Sequence, residues 1–390
     1  ILVPISINTG FMCNQYDGIA ILRIPMVFAT LLGITIGLIG FKRSIEKDCL
    51  NKLMIIIMLY TFIQVIIAKD FVKYSNFIFL YGSIIMLLSI MKKIEINAQS
   101  ILDVINVVAI YNGILSIFQY ITECKLLPGV WNENIYFSEG ANMVKRVVGV
   151  VGTNNAAGNF GALLFVIVLY NIIKKRRIID FIALFCTSIF SILTLTRIGY
   201  LAIGVSILIF YFFSNWKKRN GLIVKYFLII IGIIVVGFII LKFGDKIYNT
   251  LFLKRGYTSD YRFTQFEFVI KNLIPDNILL GVGAGQMNRY ILYNFGYREI
   301  DLHSQYLNVL VEQGVIIFTI FLIFNILIFK KLLKKYKNNS LERILVVCLF
   351  ISNLICSNYN PNQYYLSNNI LYFSVMFIIL YSDLIEKDYS

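Results

Sequence analysis

The sequence predicts an all-α, polytopic integral membrane protein with about 11–12 transmembrane helices and a large extracytoplasmic loop containing an amphipathic helix. Three features predict it. Apolar runs of about sixteen residues or more recur from end to end, each near the length of a membrane-crossing helix. Basic clusters occupy alternate gaps between those runs. One gap, 243–314, is far more polar than the others and holds the chain's single histidine, His303. A membrane β-barrel would instead show short segments of alternating hydrophobicity.

In order, the expected spans are 19–41, 53–68, 76–91, 101–121, 157–173, 178–195, 198–213, 226–243, 307–329, 341–356 and 367–381. Lys42-Arg43, Lys92-Lys93, Lys174-Lys175-Arg176-Arg177, Lys217-Lys218-Arg219 and Lys330-Lys331 all fall in alternate connections. By the positive-inside rule those connections and the C-terminus are cytoplasmic, and residue 1 starts outside. Residues 1–7 are apolar but too short for a signal peptide, and they suit the outer end of a helix that begins upstream. The organisation is 1–243, N-terminal transmembrane helices with an outer loop at 122–155; 244–306, an extracytoplasmic loop with an outer helix; and 307–390, C-terminal transmembrane helices.

Composition narrows the function classes. The chain is 58% hydrophobic with a formal net charge of +15, and its mean hydropathy is +0.77. Its basic residues are topology signals between spans, so no nucleic-acid partner is expected. The six cysteines show no paired spacing and no histidine partner pattern, so neither a metal nor a cofactor is expected.

The polar residues that could carry chemistry gather on the predicted outer face. Arg146 precedes Gly152-Thr153-Asn154-Asn155, Arg197 ends a span, and His303 leads into the ninth. Arg255 and Arg262 are spaced i, i+7, which aligns them on one helical face. A helix over 260–271 is expected, capped by Ser259 or Asp260, with Phe263, Phe266, Val269 and Ile270 on its apolar side. The Gly281-Val282-Gly283-Ala284-Gly285 run lacks the Lys-Ser/Thr of a phosphate loop and reads as a turn, then as a hinge between the outer helix and the histidine segment. Singly, each polar residue has a plain role: loop arginines pair with headgroups or carboxylates, and a histidine at a helix start serves local hydrogen bonds. Arg197 is harder to dismiss, because a bare cation between two apolar spans is costly. Jointly, arginines and one histidine suit an anionic, lipid-linked substrate: guanidinium forks bind phosphate oxygens, and imidazole takes a hydroxyl proton.

The same residues resemble the bacterial O-antigen ligase and polymerase family, which includes capsule and exopolysaccharide polymerases. Arg146-Val147-Val148-Gly149 followed by Gly152-Thr153-Asn154-Asn155 is similar to its entry into a central span, with Asn154 where the family often has Pro. Leu195-Thr196-Arg197-Ile198-Gly199 resembles its span-end motif. Tyr261-Arg262 and Leu280-Gly281-Val282-Gly283 resemble its outer helix and glycine turn. His303-Ser304-Gln305-Tyr306-Leu307, with Glu312 and Gly314, resembles its histidine motif, with Ser304 where Asn is frequent. The resemblance spans roughly 146–329.

It implies a metal-independent, inverting glycosyltransferase of the bacterial cytoplasmic membrane, acting on the extracytoplasmic face on undecaprenyl-diphosphate-linked glycan as donor and acceptor. His303, Arg197 and Arg262 would be catalytic. Arg146, Arg255, Asn155, Tyr261 and Gln305 would bind substrate. Membrane lipid, a chain-length regulator and a flippase of the same pathway would be partners. The reading favoured is a repeat-unit polymerase making O-antigen or capsular polysaccharide. The alternatives are an O-antigen ligase acting on lipid A core or protein, and, from another class, a lipid-linked oligosaccharide flippase. The flippase would place polar residues along the middle of several spans, where this sequence is mostly Ile, Leu, Phe and Val.

Overall fold

A computed structural model describes residues 26–40, 48–68, 71–94, 97–139, 142–214, 258–296, 302–338, 340–360, 366–382 and 384. Its helices are α1 Met26–Gly40, α2 Cys49–Ala68, α3 Phe71–Lys93, α4 Ala98–Thr122, α5 Asn154–Lys175, α6 Ile178–Leu193, α7 Arg197–Phe213, α8 Thr258–Asn272, α9 Ile274–Asn277, α10 Met287–Phe295, α11 Gln305–Lys335, α12 Ser340–Tyr359 and α13 Leu366–Tyr381. Every expected span has its helix except 226–243, which lies outside the described residues. Five of the helices, α2, α4, α5, α11 and α12, are long and apolar enough to cross a membrane by length and composition alone. The protein is an all-α polytopic membrane protein.

Among the described residues, the basic clusters at Lys92, Lys174-Lys175 and Lys331 meet at one end of the bundle. Asp48, just before α2, pairs with Lys92 at 3.0 Å and Lys331 at 3.4 Å, and accepts from the Tyr381 hydroxyl at 3.1 Å. Lys174 reaches Glu342 at 3.5 Å, and Lys175 reaches Asp103 at 3.0 Å. These contacts gather the ends of α3, α5, α11 and α13 and the starts of α2, α4 and α12 into one basic end. The opposite, loop end carries the long polar connections.

At the centre is α5, most of it buried, and apolar on nearly all sides, as a helix surrounded by others must be. Lipid offers no hydrophobic drive between helices, so close packing through small residues does the work. At Gly158 a Cβ would lie 2.2 Å from the Thr196 side chain, and at Gly199 a Cβ would lie 2.7 Å from the Gly158 carbonyl. The α5–α7 crossing therefore tolerates no larger residue.

Polar residues inside the spans are more numerous than the mid-span reading allows. Along α4, Gln99, Asn106, Asn112, Ser116 and Gln119 are buried on one face. Asn106 donates to Asp180 at 2.7 Å and accepts from Asn171 at 3.0 Å. Gln119 Oε1 accepts from the Gly149 amide at 2.8 Å, and Asn112 Oδ1 accepts from the Val150 amide at 2.8 Å. Those side chains supply the partners that irregular backbone needs among the helices. They let the segment after Arg146 enter the bundle through a short 3-10 turn, Gly149–Val151.

The outer loop also forms a two-stranded antiparallel hairpin, β1 Tyr136–Glu139 with β2 Asn142–Lys145, pairing Tyr136 with Lys145. The expected outer helix is present as α8. It begins at Thr258, so Ser259 and Asp260 lie inside its first turn rather than capping it.

Candidate functional site

Two clusters of the expected residues form at the loop end. The first surrounds the turn between α6 and α7. Leu195 adopts a left-handed φ of 51° there, and Arg197 is the first residue of α7, half-buried. Arg146 lies beneath, fully buried. Its Nε donates to the Thr194 carbonyl at 2.8 Å, and its Nη2 donates to the Thr196 hydroxyl at 2.8 Å and reaches Asn155 Oδ1 at 3.5 Å. Arg146 and Asn155, both expected to touch substrate, thus brace the turn that carries Arg197.

This brace has an electrostatic consequence. Thr196 is the N-cap of α7, yet its hydroxyl makes no capping bond and instead receives Arg146. Thr153, the N-cap of α5, makes no side-chain capping bond either. The Thr196 hydroxyl also approaches the Asn154 carbonyl at 3.3 Å. Two helix N-termini therefore lie side by side, each carrying partial positive charge and backbone N–H groups suited to an anion. Asn154 is the first residue of α5, the position where proline is favoured, which accounts for the family's frequent Pro there.

The second cluster joins α8 to the start of α11. His303 Nδ1 lies 3.3 Å from Gln265 Oε1. With that oxygen as acceptor, Nδ1 carries the proton and Nε2 is the basic nitrogen. Arg262 is three residues before Gln265, so both occupy neighbouring positions on one helical face. Gln265 and Val269 on that face are buried, and Arg262 is half-buried. Val269 and Leu273 pack with Met287, Ile291, Leu302 and Val311 into a small core that holds α8 and α10 against α11. Ser304 caps α11, its Oγ accepting from the Leu307 amide at 3.2 Å. Serine and asparagine are both strong N-caps, so Ser304 keeps the function of the more frequent Asn. Gln305 is buried in the first turn of α11. Tyr261 precedes Arg262 in α8. Arg255 lies outside the described residues.

The glycine run is not a free hinge. Gly281, Gly283 and Gly285 all have positive φ, but the Val282 and Gly283 amides donate to the Val311 and Glu312 carbonyls, both at 2.9 Å. Those carbonyls are available because α11 is broken at Gly314, at φ 77° and ψ 171°. The Val315 amide donates to the Ile278 carbonyl at 2.7 Å. A Cβ at Gly314 would lie 2.2 Å from the Leu279 carbonyl, and one at Gly281 would lie 2.4 Å from Glu312. The run is clamped into the break of α11, which fixes the path between α8 and His303.

Several contributors escaped the sequence reading. Gln265 was findable, three residues beyond Arg262 on the expected helix. Thr194 and Thr196 give no signal as acceptors until the turn is folded. Tyr60 and Gln64, spaced i, i+4 in an apolar span, carry the signal that polar residues in membrane helices are functional or structural anchors.

No curated protein matches the chain. The family model described as O-antigen ligase matches residues 181–322, which contain Arg197, Arg262 and His303 and exclude Arg146 and Asn155. Through that region the chain is similar to the O-antigen ligase family.

Proposed function

We propose that this protein is a membrane glycosyltransferase that polymerises undecaprenyl-diphosphate-linked oligosaccharide repeat units into O-antigen or capsular polysaccharide on the extracytoplasmic face of the bacterial cytoplasmic membrane. The observation that carries the reading is the Gln265–His303 contact at 3.3 Å, on the helix that also bears Arg262. It supports reading His303 as an oriented base in contact with the element that carries the candidate phosphate-binding Arg262. In this reading the braced Arg197 turn, with two helix N-termini beside it, would be the other half of a diphosphate site.

In this mechanism the acceptor hydroxyl gives its proton to His303 Nε2 as its oxygen bonds to the anomeric carbon of the donor. The bond from that carbon to the diphosphate oxygen breaks on the opposite side, so configuration inverts. The lipid diphosphate leaves as an anion held by Arg197 and Arg262, which stabilise the charge that develops in the transition state. Arg146 and Asn155 act through the turn. Gln305 and Tyr261 line the acceptor side, and no metal takes part. A ligase acting on lipid A core or protein would use the same residues with a different acceptor. The flippase alternative gains no support from the interior polar residues of α4, which bond side chains of α5 and α6 and the backbone of the 3-10 turn.

The test is single alanine replacement of Arg197, Arg262 and His303, with lipid-linked glycans resolved on a ladder gel. Loss of a transition-state arginine costs about 10²–10³ in rate, and loss of the base about 10²–10⁴. Long chains should disappear and single repeats accumulate at unchanged protein level. Unchanged ladders in all three variants would remove the site assignment. Normal ladders on the lipid carrier with no transfer to core or protein would favour the ligase.

A further inference from the structure

We propose that residues 278–284 form a shallow re-entrant loop whose apex, Ile278-Leu279-Leu280, lies among the upper acyl chains of the leaflet remote from the basic end. Two rulers give its depth. The Leu280 carbonyl accepts from the Tyr60 hydroxyl at 2.6 Å and from Gln64 Nε2 at 3.0 Å. Counting from Asp48 at the basic end, those residues stand about 18 and 24 Å along α2, at 1.5 Å per residue. The second ruler is α11, where the loop bonds the Val311 and Glu312 carbonyls, about 28–30 Å above Lys331 by the same rise. The first level falls within a hydrocarbon layer of about 30 Å and the second at its edge, the depth of the upper acyl chains.

Backbone at that depth is tolerated only when its polar groups bond to protein, and at least six groups of this loop do so. The Ile278 carbonyl accepts from Val315, Gly281 donates to the Asn277 carbonyl, and Val282 and Gly283 donate to α11. The Leu280 carbonyl is bonded twice by α2, and the Ala284 amide donates to Gln64 Oε1 at 3.1 Å. The side chains do the reverse. Ile278, Leu279 and Leu280 are 48%, 61% and 63% exposed. Three consecutive exposed aliphatic residues on a loop tied to α2 and α11 by backbone bonds are what acyl chains cover. The adjacent surface of α2 is of the same kind, with Leu59, Ile63 and Ile66 exposed. By holding α9 at this level, the loop sets the height of α8, and so of Arg262 and Gln265, above the bilayer. The inference needs only that α2 and α11 span the membrane and does not depend on the glycan chemistry.

The test uses the unaltered full chain in vesicles containing phosphatidylglycerol with a diazirine on its acyl chain, followed by irradiation, trypsin and peptide mapping. Cleavage after Lys271 and Arg289 releases peptide 272–289, and cleavage after Lys52 and Lys69 releases 53–69 from α2 as the lipid-facing reference. Label in both peptides, with the adduct on Ile278–Leu280, is expected. A labelled 53–69 with an unlabelled 272–289 overturns the proposal, as does an adduct confined to Asn288 and Arg289. A Leu279→Trp variant, quenched by acyl-brominated lipid and protected from aqueous iodide, gives the same answer by a second route. Quenching by iodide alone contradicts it.

Discussion

Arg177 and Arg146 sit at opposite ends of the same helix, α6, and are held in opposite ways. Arg177 is the N-cap, where the helix dipole is unfavourable to a cation. Carboxylates offset that: Asp103 at 2.7 Å, and Asp180 in the first turn at 2.8 Å, which also accepts the Arg177 amide at 3.0 Å. The hydrogen bonds and charges of Asp180 and Asp103 raise the Arg177 pKa further. Arg146 lies at the C-terminal end, where the dipole favours a cation, and it donates to the carbonyl of the C-cap, Thr194. Its other described acceptors are a hydroxyl and an amide oxygen. One arginine closes the basic end with opposite charge. The other shapes a turn through directed hydrogen bonds and takes up the Thr196 hydroxyl that would otherwise cap α7.

This contrast can be broken at either end. The largest effect is expected from Arg177→Ala. It leaves Asp180, fully buried, with Asn106 as its main polar contact, and removing one partner of such a pair costs about 3 kcal/mol or more. Thermal unfolding in detergent should register it as a marked fall in midpoint. Asp180→Asn in the same chain should recover much of the loss, and no fall at all would contradict the ion-pair lock.

A smaller effect separates shape from charge. Arg146→Lys keeps the cation but loses the planar fork that spans Thr194 and Thr196, which should cost about 1–3 kcal/mol. It should also shorten the glycan ladder. Arg177→Lys should be milder, because a carboxylate pair accepts a point charge from many directions. Equal tolerance at both positions would erase the distinction.

The smallest effect concerns acid. Partial burial pushes the Asp48 pKa upward, but the hydrogen bond and charge of Lys92, the charge of Lys331 and the Tyr381 hydroxyl outweigh it, and the value falls from 3.8 to about 2. A depressed carboxylate pKa contributes stability that is present above the unfolded value and is lost as pH falls through the folded one. Because Asp48 and Lys331 remain partly exposed and solvent screens the pair, that contribution should be about 1 kcal/mol. Unfolding midpoints between pH 5 and pH 2 should fall less in Asp48→Asn than in the parent. A parallel slope in both chains would remove Asp48 from the account.

The spans and their alternation were legible because each rests on local signals: hydrophobic length and charge in short connections. Every described span falls where hydropathy put it, since a bilayer admits only helices with internally bonded backbone. The sequence alone also determined which end of the molecule is basic. Tertiary structure decided what sequence spacing cannot encode. Arg146 reads as a loop cation until the Thr194–Thr196 turn folds over it. Gln265 reads as a neutral surface residue until His303 arrives from 38 positions away. The glycine run reads as a hinge until the Gly314 break frees two carbonyls to hold it. In each case the deciding partner is distant in the chain, and the bond forms because buried polar groups must find acceptors wherever packing brings them.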